Sequence, residues 1–335
     1  MRRGLRDVAL ALIVVIVVGG LAMIVAGANP LDGFGQLLDG ALGNPSEIAE
    51  TLVQTTALLF PALGIAFAFR AGLFNIGAEG QLILGGMAAG IIGVAVPLPA
   101  LLAIPLTLAA GALAGGVWGG IAGFFRARFG ANEVIATLML NVIALLLATY
   151  LIGGPFKQAG ATASETASLP AAAQLPGIFP DSRLTLAFPI AILLALLLRW
   201  VFTRTVFGYE LRAAGEAPEA ARRAGVNLAR TAFVAMAGSG AIAGLGGATI
   251  VMGMLHRFNT GLSPGYGFIG IAVALVGNLD PLGICVASFA FGILQSGAIA
   301  MQAEANVPRD VVTIIEGLVI VALAGRRVVA ERRSA

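Results

Sequence analysis

Apolar residues run along this chain in blocks of roughly twenty, and polar residues collect at the joints between them. About twenty apolar residues in a helix span the hydrocarbon of a bilayer. Such runs fall at about Val8–Ala28, 48–69, 73–96, 101–124, 133–153, 184–203, 231–254, 266–279, 282–302 and 310–325. They predict an all-α, polytopic membrane helix bundle of about ten spans, both termini on the same side, with 1–335 as a single transmembrane domain. The first run is long for a signal peptide and lacks a clear small-x-small cleavage site, so it reads as an uncleaved helix. The region 266–281 is short and interrupted by Gly265, Gly267, Gly270 and Gly277 and then by Asn278-Leu279-Asp280-Pro281. It predicts a broken or re-entrant segment, which survives at membrane depth only where protein or a water-filled cavity satisfies its backbone.

Composition agrees. Of 335 residues, 59% are hydrophobic and 11% charged, against about 25% charged in soluble domains. The mean hydropathy is +0.96. The 46 glycines suit helices that pack closely through small residues. A single cysteine, Cys285, excludes an internal disulfide and a cysteine-rich metal site. A single histidine, His256, excludes a histidine metal cluster. His256 and Arg257 fall at the outer edge of a span, an interfacial or partner-facing position.

The placement of charge orients the bundle. Nineteen of the 20 basic residues are arginine and one is Lys157. With the N-terminus cytoplasmic, only Lys157, Arg183, Arg257 and Arg309 fall outside, and the other sixteen fall inside. That is a strong positive-inside bias and predicts cytoplasmic termini. The longest outer connection, about 154–183, carries Pro155, Pro170, Pro176 and Pro180 and reads as an irregular loop, either touching an extracytoplasmic partner or simply spacing two helices.

One inner joint, about 204–230, is long and charged. Its core, Tyr209 to Arg230, reads YELRAAGEAPEAARRAGVNLAR. Pro218 suits the first turn of a short helix and Gly225 the position just past its end. Glu216 and Glu219 fall toward the positive end of that helix, Arg222 and Arg223 toward the negative end. Many such helices merely join two spans. Glu219-Ala220-Ala221, three residues and then Gly225 resemble the EAA-x3-G signature of the cytoplasmic loop of bacterial ABC importer permeases. The resemblance implies that Glu216, Pro218, Glu219, Ala220, Ala221 and Gly225 form an ATPase-coupling helix. The wider pattern often continues to Ile-x-Leu-Pro; here Phe233-Val234-Ala235-Met236 has no such ending.

A second unusual stretch is Gly72-Leu73-Phe74-Asn75-Ile76-Gly77-Ala78-Glu79-Gly80-Gln81. An acidic residue in a span is costly and faces protein or water. Asn75 and Glu79, four apart, are expected on one helical face. They either fix helix packing or line a translocation path. This run is similar to the hallmark of the branched-chain amino acid, ribose and nucleoside class of importer permeases, most of all to nucleoside permeases that work with a basic-membrane-protein lipoprotein. Gly130-Ala131-Asn132-Glu133-Val134-Ile135 and Asn141 fit the same group, and the resemblance covers about 48–325. It implies a bacterial cytoplasmic-membrane location and four partner classes: a cytoplasmic ABC ATPase, a second permease subunit (self or a related chain), an extracytoplasmic solute-binding lipoprotein and membrane lipids. It implies no cofactor on this chain, ATP and magnesium belonging to the ATPase.

The remaining polar groups admit two readings each. Glu133 either suits a helix N-terminus, the favoured reading, or serves a gate. Thr137 and Asn141 form one polar stripe, facing a path or bonding a neighbouring helix. Gln295 with Ser296, and Glu316 with Thr313, line a path or pack. No G-x-x-x-x-G-K-[ST] occurs, so this chain carries no P-loop. Nothing suggests nucleic acid or a metal. An ABC permease for a small neutral solute, nucleosides or else simple sugars, leads. The rival is an ion-coupled transporter using Glu79 and Glu316, which has no need of the cytoplasmic EAA helix. A membrane enzyme lacks a nucleophile–base–acid set.

Overall fold

The computed structural model describes residues 17–180 and 182–305, together with 307, 311, 313, 314 and 317. The described residues form helices and no named strand; two isolated bridges join Glu165 to Asn259 and Gly177 to Thr185. Among the described residues, seven helices are long and apolar enough to cross a membrane, or eight if one sharply bent pair counts as a single span. The expected run 310–325, with Glu316, lies almost wholly outside the described residues, as do both termini and the first half of the first run.

In chain order the helices are α1 (Val17–Val25), α2 (Pro30–Leu42), α3 (Pro45–Arg70), α4 (Ala78–Ala95), α5 (Ala100–Phe129), α6 (Glu133–Gly153), α7 (Ala187–Arg204), α8 (Val206–Glu216), α9 (Pro218–Arg223), α10 (Leu228–Ile250), α11 (Tyr266–Val276) and α12 (Pro281–Glu304). They fall into two compact units, one containing the described residues up to Thr55 and from Phe289 onward, the other Thr56–Ser288.

In the first unit α1 and α2 meet at a bend of 112°. Asn29 caps α2 by accepting from the Leu31 N–H at 3.0 Å, and Pro30 occupies its first turn. No apolar run announced α2, because Asp32 and Asp39 break its hydropathy. Met23, Leu37, Ala298, Met301, Val307 and Val311 form the core of this unit. The Thr51 hydroxyl donates to the Ala41 carbonyl at 2.8 Å, tying α3 to α2.

The second unit is built on α4, α5 and α10. On α5, Gly111, Gly115, Gly119 and Gly123 recur every four residues and so share a face. Side chains added at Gly115 and Gly244 would collide with one another's helix backbone, and one at Gly85 would collide with Gly244. These backbones approach closely because no side chain stands between them, the packing mode of helices that gain no hydrophobic energy from leaving lipid. α4 and α10 are 72% buried over their apolar windows, whereas α5 is 22% and α6 and α7 are 28%. Leu101, Leu113, Val117, Ile135, Leu146 and Leu193 point outward on these outer helices, an apolar surface suited to lipid.

Three joints show more structure than the sequence reading gave them. The 154–183 connection is neither free nor featureless: Thr166 N donates to Phe258 O (3.0 Å), Leu169 N to His256 O (2.7 Å) and Leu175 N to Met252 O (3.0 Å). Arg257 and Glu165 add an ion pair at 2.7 Å. The loop is thus strapped along residues 252–258, where α10 ends in a π-turn, Val251–Leu255, and His256 adopts φ 54°. The run expected at 266–279 is an 11-residue helix, only about 16 Å long at 1.5 Å per residue and too short to cross alone. It stops at Gly277–Asp280, where Asn278 and Leu279 take φ 57° and 56°. Asp280 then caps α12, accepting from Gly283 N at 3.1 Å. Finally, the charged joint holds two helices, α8 and α9, where one was expected.

Candidate functional site

α3 ends in a Schellman turn: Leu73 N donates to Ala68 O (3.2 Å) and Gly72 N to Phe69 O (3.0 Å), with Gly72 at φ 72°. The chain stays non-helical to Gly77, and α4 begins only at Ala78. Asn75 therefore does not share a helical face with Glu79, because the glycine-ended turn delays the helix past it. Freed from a helix, the Asn75 amide becomes the centre of a buried polar knot. Its Nδ2 donates to Gln81 Oε1 and to Ser239 Oγ on α10, both at 2.8 Å. Its Oδ1 accepts from Gly77 N at 2.9 Å and from Gln81 Nε2 at 3.2 Å.

α6 closes the knot from the other side. Asn141 Nδ2 donates to the Ile76 carbonyl at 2.9 Å, and its Oδ1 accepts from Gly80 N at 2.8 Å. Asn75, Gln81, Ser239 and Asn141 are all buried, so water is not their partner and each amide answers another. Thr137 is fully buried but spends its hydroxyl on its own helix, donating to the Glu133 carbonyl at 2.7 Å. The residue that caps α6 is Asn132, accepting from Val134 N and Ile135 N; Glu133 follows it and faces Arg126 Nε at 3.6 Å.

Glu79 stands apart from the knot. Its carboxylate accepts from Gly267 N at 2.7 Å and from the Ser263 hydroxyl. Gly267 opens α11, so a buried carboxylate meets the positive end of a helix. A Cβ at Gly267 would lie 2.5 Å from Glu79 Cα, so the two first turns touch backbone to backbone.

The charged joint has the opposite character. Thr205 caps α8, and Leu211 is its fully buried anchor. α9 starts on Pro218 and is followed by Gly225 at φ 90°, as the spacing predicts. Glu219 and Arg222 pair at 2.6 Å on the surface, 68% and 66% exposed, while Ala221 packs inward. Glu216 is the last residue of α8 and not part of the α9 first turn, because Ala217 takes φ −146° and breaks the two helices apart.

The structure thus brings Asn75, Gln81 and Asn141 together, sets Thr137 beside them and Glu79 at α11, and leaves Gln295 buried in the first unit. Sequence reasoning missed Ser239, Ser263 and Gly267. A lone serine or glycine in an apolar helix carries no spacing signal; only the fold pairs it with Asn75 or Glu79. No group of three or more His, Cys, Asp or Glu suited to a metal occurs among the described residues.

Residues 47–324 match the family described as branched-chain amino acid transport system / permease component. A guanosine ABC transporter permease of Bacillus subtilis is 38% identical, the alignment covering 94% of this chain and 91% of that protein. A nucleoside ABC transporter permease of Lactococcus lactis is 34% identical over 94% and 89%. A glucose ABC transporter permease of Haloferax volcanii is 34% identical over 94% and 85%. No solved structure matches.

Proposed function

This chain belongs to the branched-chain amino acid transport system permease family, and we propose that it is the membrane subunit of an ATP-binding cassette importer for nucleosides in a bacterial cytoplasmic membrane. The observation that carries the solute is the near full-length match, at 38% identity, to a guanosine permease. A small neutral solute also suits a chain whose described buried groups are chiefly amides and hydroxyls.

In this reading about ten spans place both termini and the α8–α9 loop in the cytoplasm, which the arginine distribution favours. Glu216, Pro218, Glu219, Ala220, Ala221 and Gly225 form the contact with a separate ATPase, which holds ATP and magnesium. A solute-binding lipoprotein delivers the nucleoside outside, and a second permease subunit completes the path. ATP binds one state of the assembly more tightly and so shifts its population between outward and inward access. The knot of Asn75, Gln81, Thr137 and Asn141, with Glu79 beside it, forms the framework of the path wall; Gln295 and Glu316 are further path candidates on sequence grounds alone.

A simple sugar is the second reading, favoured by the glucose permease relative. Uptake of labelled guanosine by cells carrying the chain with its partner subunits separates the two. Unlabelled nucleosides are expected to compete and glucose or ribose to leave uptake unchanged. Competition by sugars alone refutes the nucleoside assignment, and uptake that survives inactivation of the ATPase refutes the importer.

A further inference from the structure

A short exposed helix acts on a buried knot only through something stiff. From α9 the chain passes back through Ala217 into α8, which is held rigidly: Leu211 is fully buried, and Gly208 lies directly against the α7 backbone at Val201 and Phe202. The last turn of α8 then meets the end of α3. A Cβ added at Gly215 would fall 2.5 Å from the Arg70 carbonyl oxygen, 2.7 Å from Gly72 N and 3.0 Å from Ala71 C, and one added at Gly72 would fall 3.0 Å from Gly215 Cα. Backbone therefore rests on backbone, with no flexible side chain between them to absorb a displacement.

The Schellman turn it rests on leads straight into the knot. Three residues after Gly72 comes Asn75, and the short link is fixed by the Phe69 and Phe74 rings, edge to face at 4.6 Å. The same turn is tied sideways, since Arg70 Nη2 donates to the Leu279 carbonyl at 2.9 Å, between α11 and α12. We propose that Gly215 is a positioning residue that couples α9 to the Asn75 knot, its bare backbone seating the α8 strut on the α3 turn so that a push on α9 moves residues 71–77. The proposal rests on α9 being the ATPase contact.

The complete importer in proteoliposomes tests it, read as guanosine accumulated per ATP hydrolysed. Gly215→Ala and Gly215→Val are expected to assemble with the ATPase and to hydrolyse ATP. Their transport per ATP falls, more for Val than for Ala, by roughly three- to thirtyfold, the scale on which packed linkages alter coupling. A merely structural role lowers the amount of active complex but not that ratio, and a wild-type ratio in Gly215→Val overturns the proposal. If Gly215→Val does not assemble, hydrogen exchange on the wild-type complex decides. Amides of 71–77 are expected to change protection together with those of 215–223 when nucleotide binds; a response confined to 215–223 overturns the linkage. A wild-type chain that recruits no ATPase at all sinks the importer reading itself.

Discussion

The knot at the start of α4 and the α8–α9 loop are both polar, and they use polarity in opposite ways. In the knot every amide is buried and answered by another group within 3.2 Å. On α9 the polar side-chain contact is an exposed ion pair between Glu219 and Arg222. Closed hydrogen bonding in a low-dielectric interior fixes geometry, since any lost partner leaves an orphan. An exposed ion pair contributes little to the fold and leaves its helix available to another molecule. The comparison teaches that one region serves by being unable to move alone and the other by being free to bind. If that is right, stability and transport respond differently along the path between them.

The largest effect on stability is expected in the glycine-packed centre that supports the knot. Gly244→Leu drives a side chain into the α5 backbone at Gly111 and Gly115, a loss of more than about 3 kcal/mol by overpacking. Detergent-solubilised chain is expected to aggregate on size-exclusion chromatography. A monodisperse, cooperatively melting variant would mean that α5 and α10 separate easily, and the knot would lose its rigid support.

Next comes Asn75→Ala, which strips partners from Ser239, Gln81 and the Gly77 N–H at once. Orphaned buried groups give a loss of roughly 2–4 kcal/mol, visible as a lower melting temperature and a lower folded yield. An unchanged melt would show that water reaches the site. Glu79→Gln keeps an acceptor for Gly267 N but replaces one carboxyl oxygen facing the α11 N-terminus with an amide nitrogen. The expected loss is about 1–2 kcal/mol, with ATPase assembly preserved and uptake reduced. Loss of folded protein on this mild change would make Glu79 a packing residue only.

Both regions announced themselves in the sequence, to different depths. Pro218 and Gly225 bracket α9 because each acts locally, one by its missing N–H and fixed φ, the other by tolerating φ 90°. α6 follows its apolar run from 133 to 153 and starts on a capping asparagine, again a local signal. The knot was legible only as a list of odd residues. Placing Asn75 on a helical face failed because the glycine-ended turn of α3 displaces the start of α4, and periodicity does not register a delayed helix start. Ser239 was invisible for a different reason: its role depends on a partner 164 residues away. Helices α2 and α8 escaped because a search for apolar runs passes over amphipathic helices such as these. At 266–281, glycine and proline foretold an interruption; that α11 seats its first turn on Glu79 is a tertiary fact.

The smallest effect on stability, and the sharpest test of the comparison, belongs to Glu219→Lys. The substitution breaks the pair with Arg222 and puts a positive charge in the first turn of α9. Both groups are about two-thirds exposed, so solvent screens the interaction and the expected change is about 0.5 kcal/mol or less. Membrane insertion and melting should match the wild type, while guanosine uptake is abolished and the ATPase no longer co-purifies. The same charge reversal that the fold hardly notices would then silence transport, the outcome expected if α9 presents that carboxylate to the proposed ATPase. Normal uptake in this variant would return α9 to the class of plain connectors and remove the lever from which Gly215 and the knot are driven.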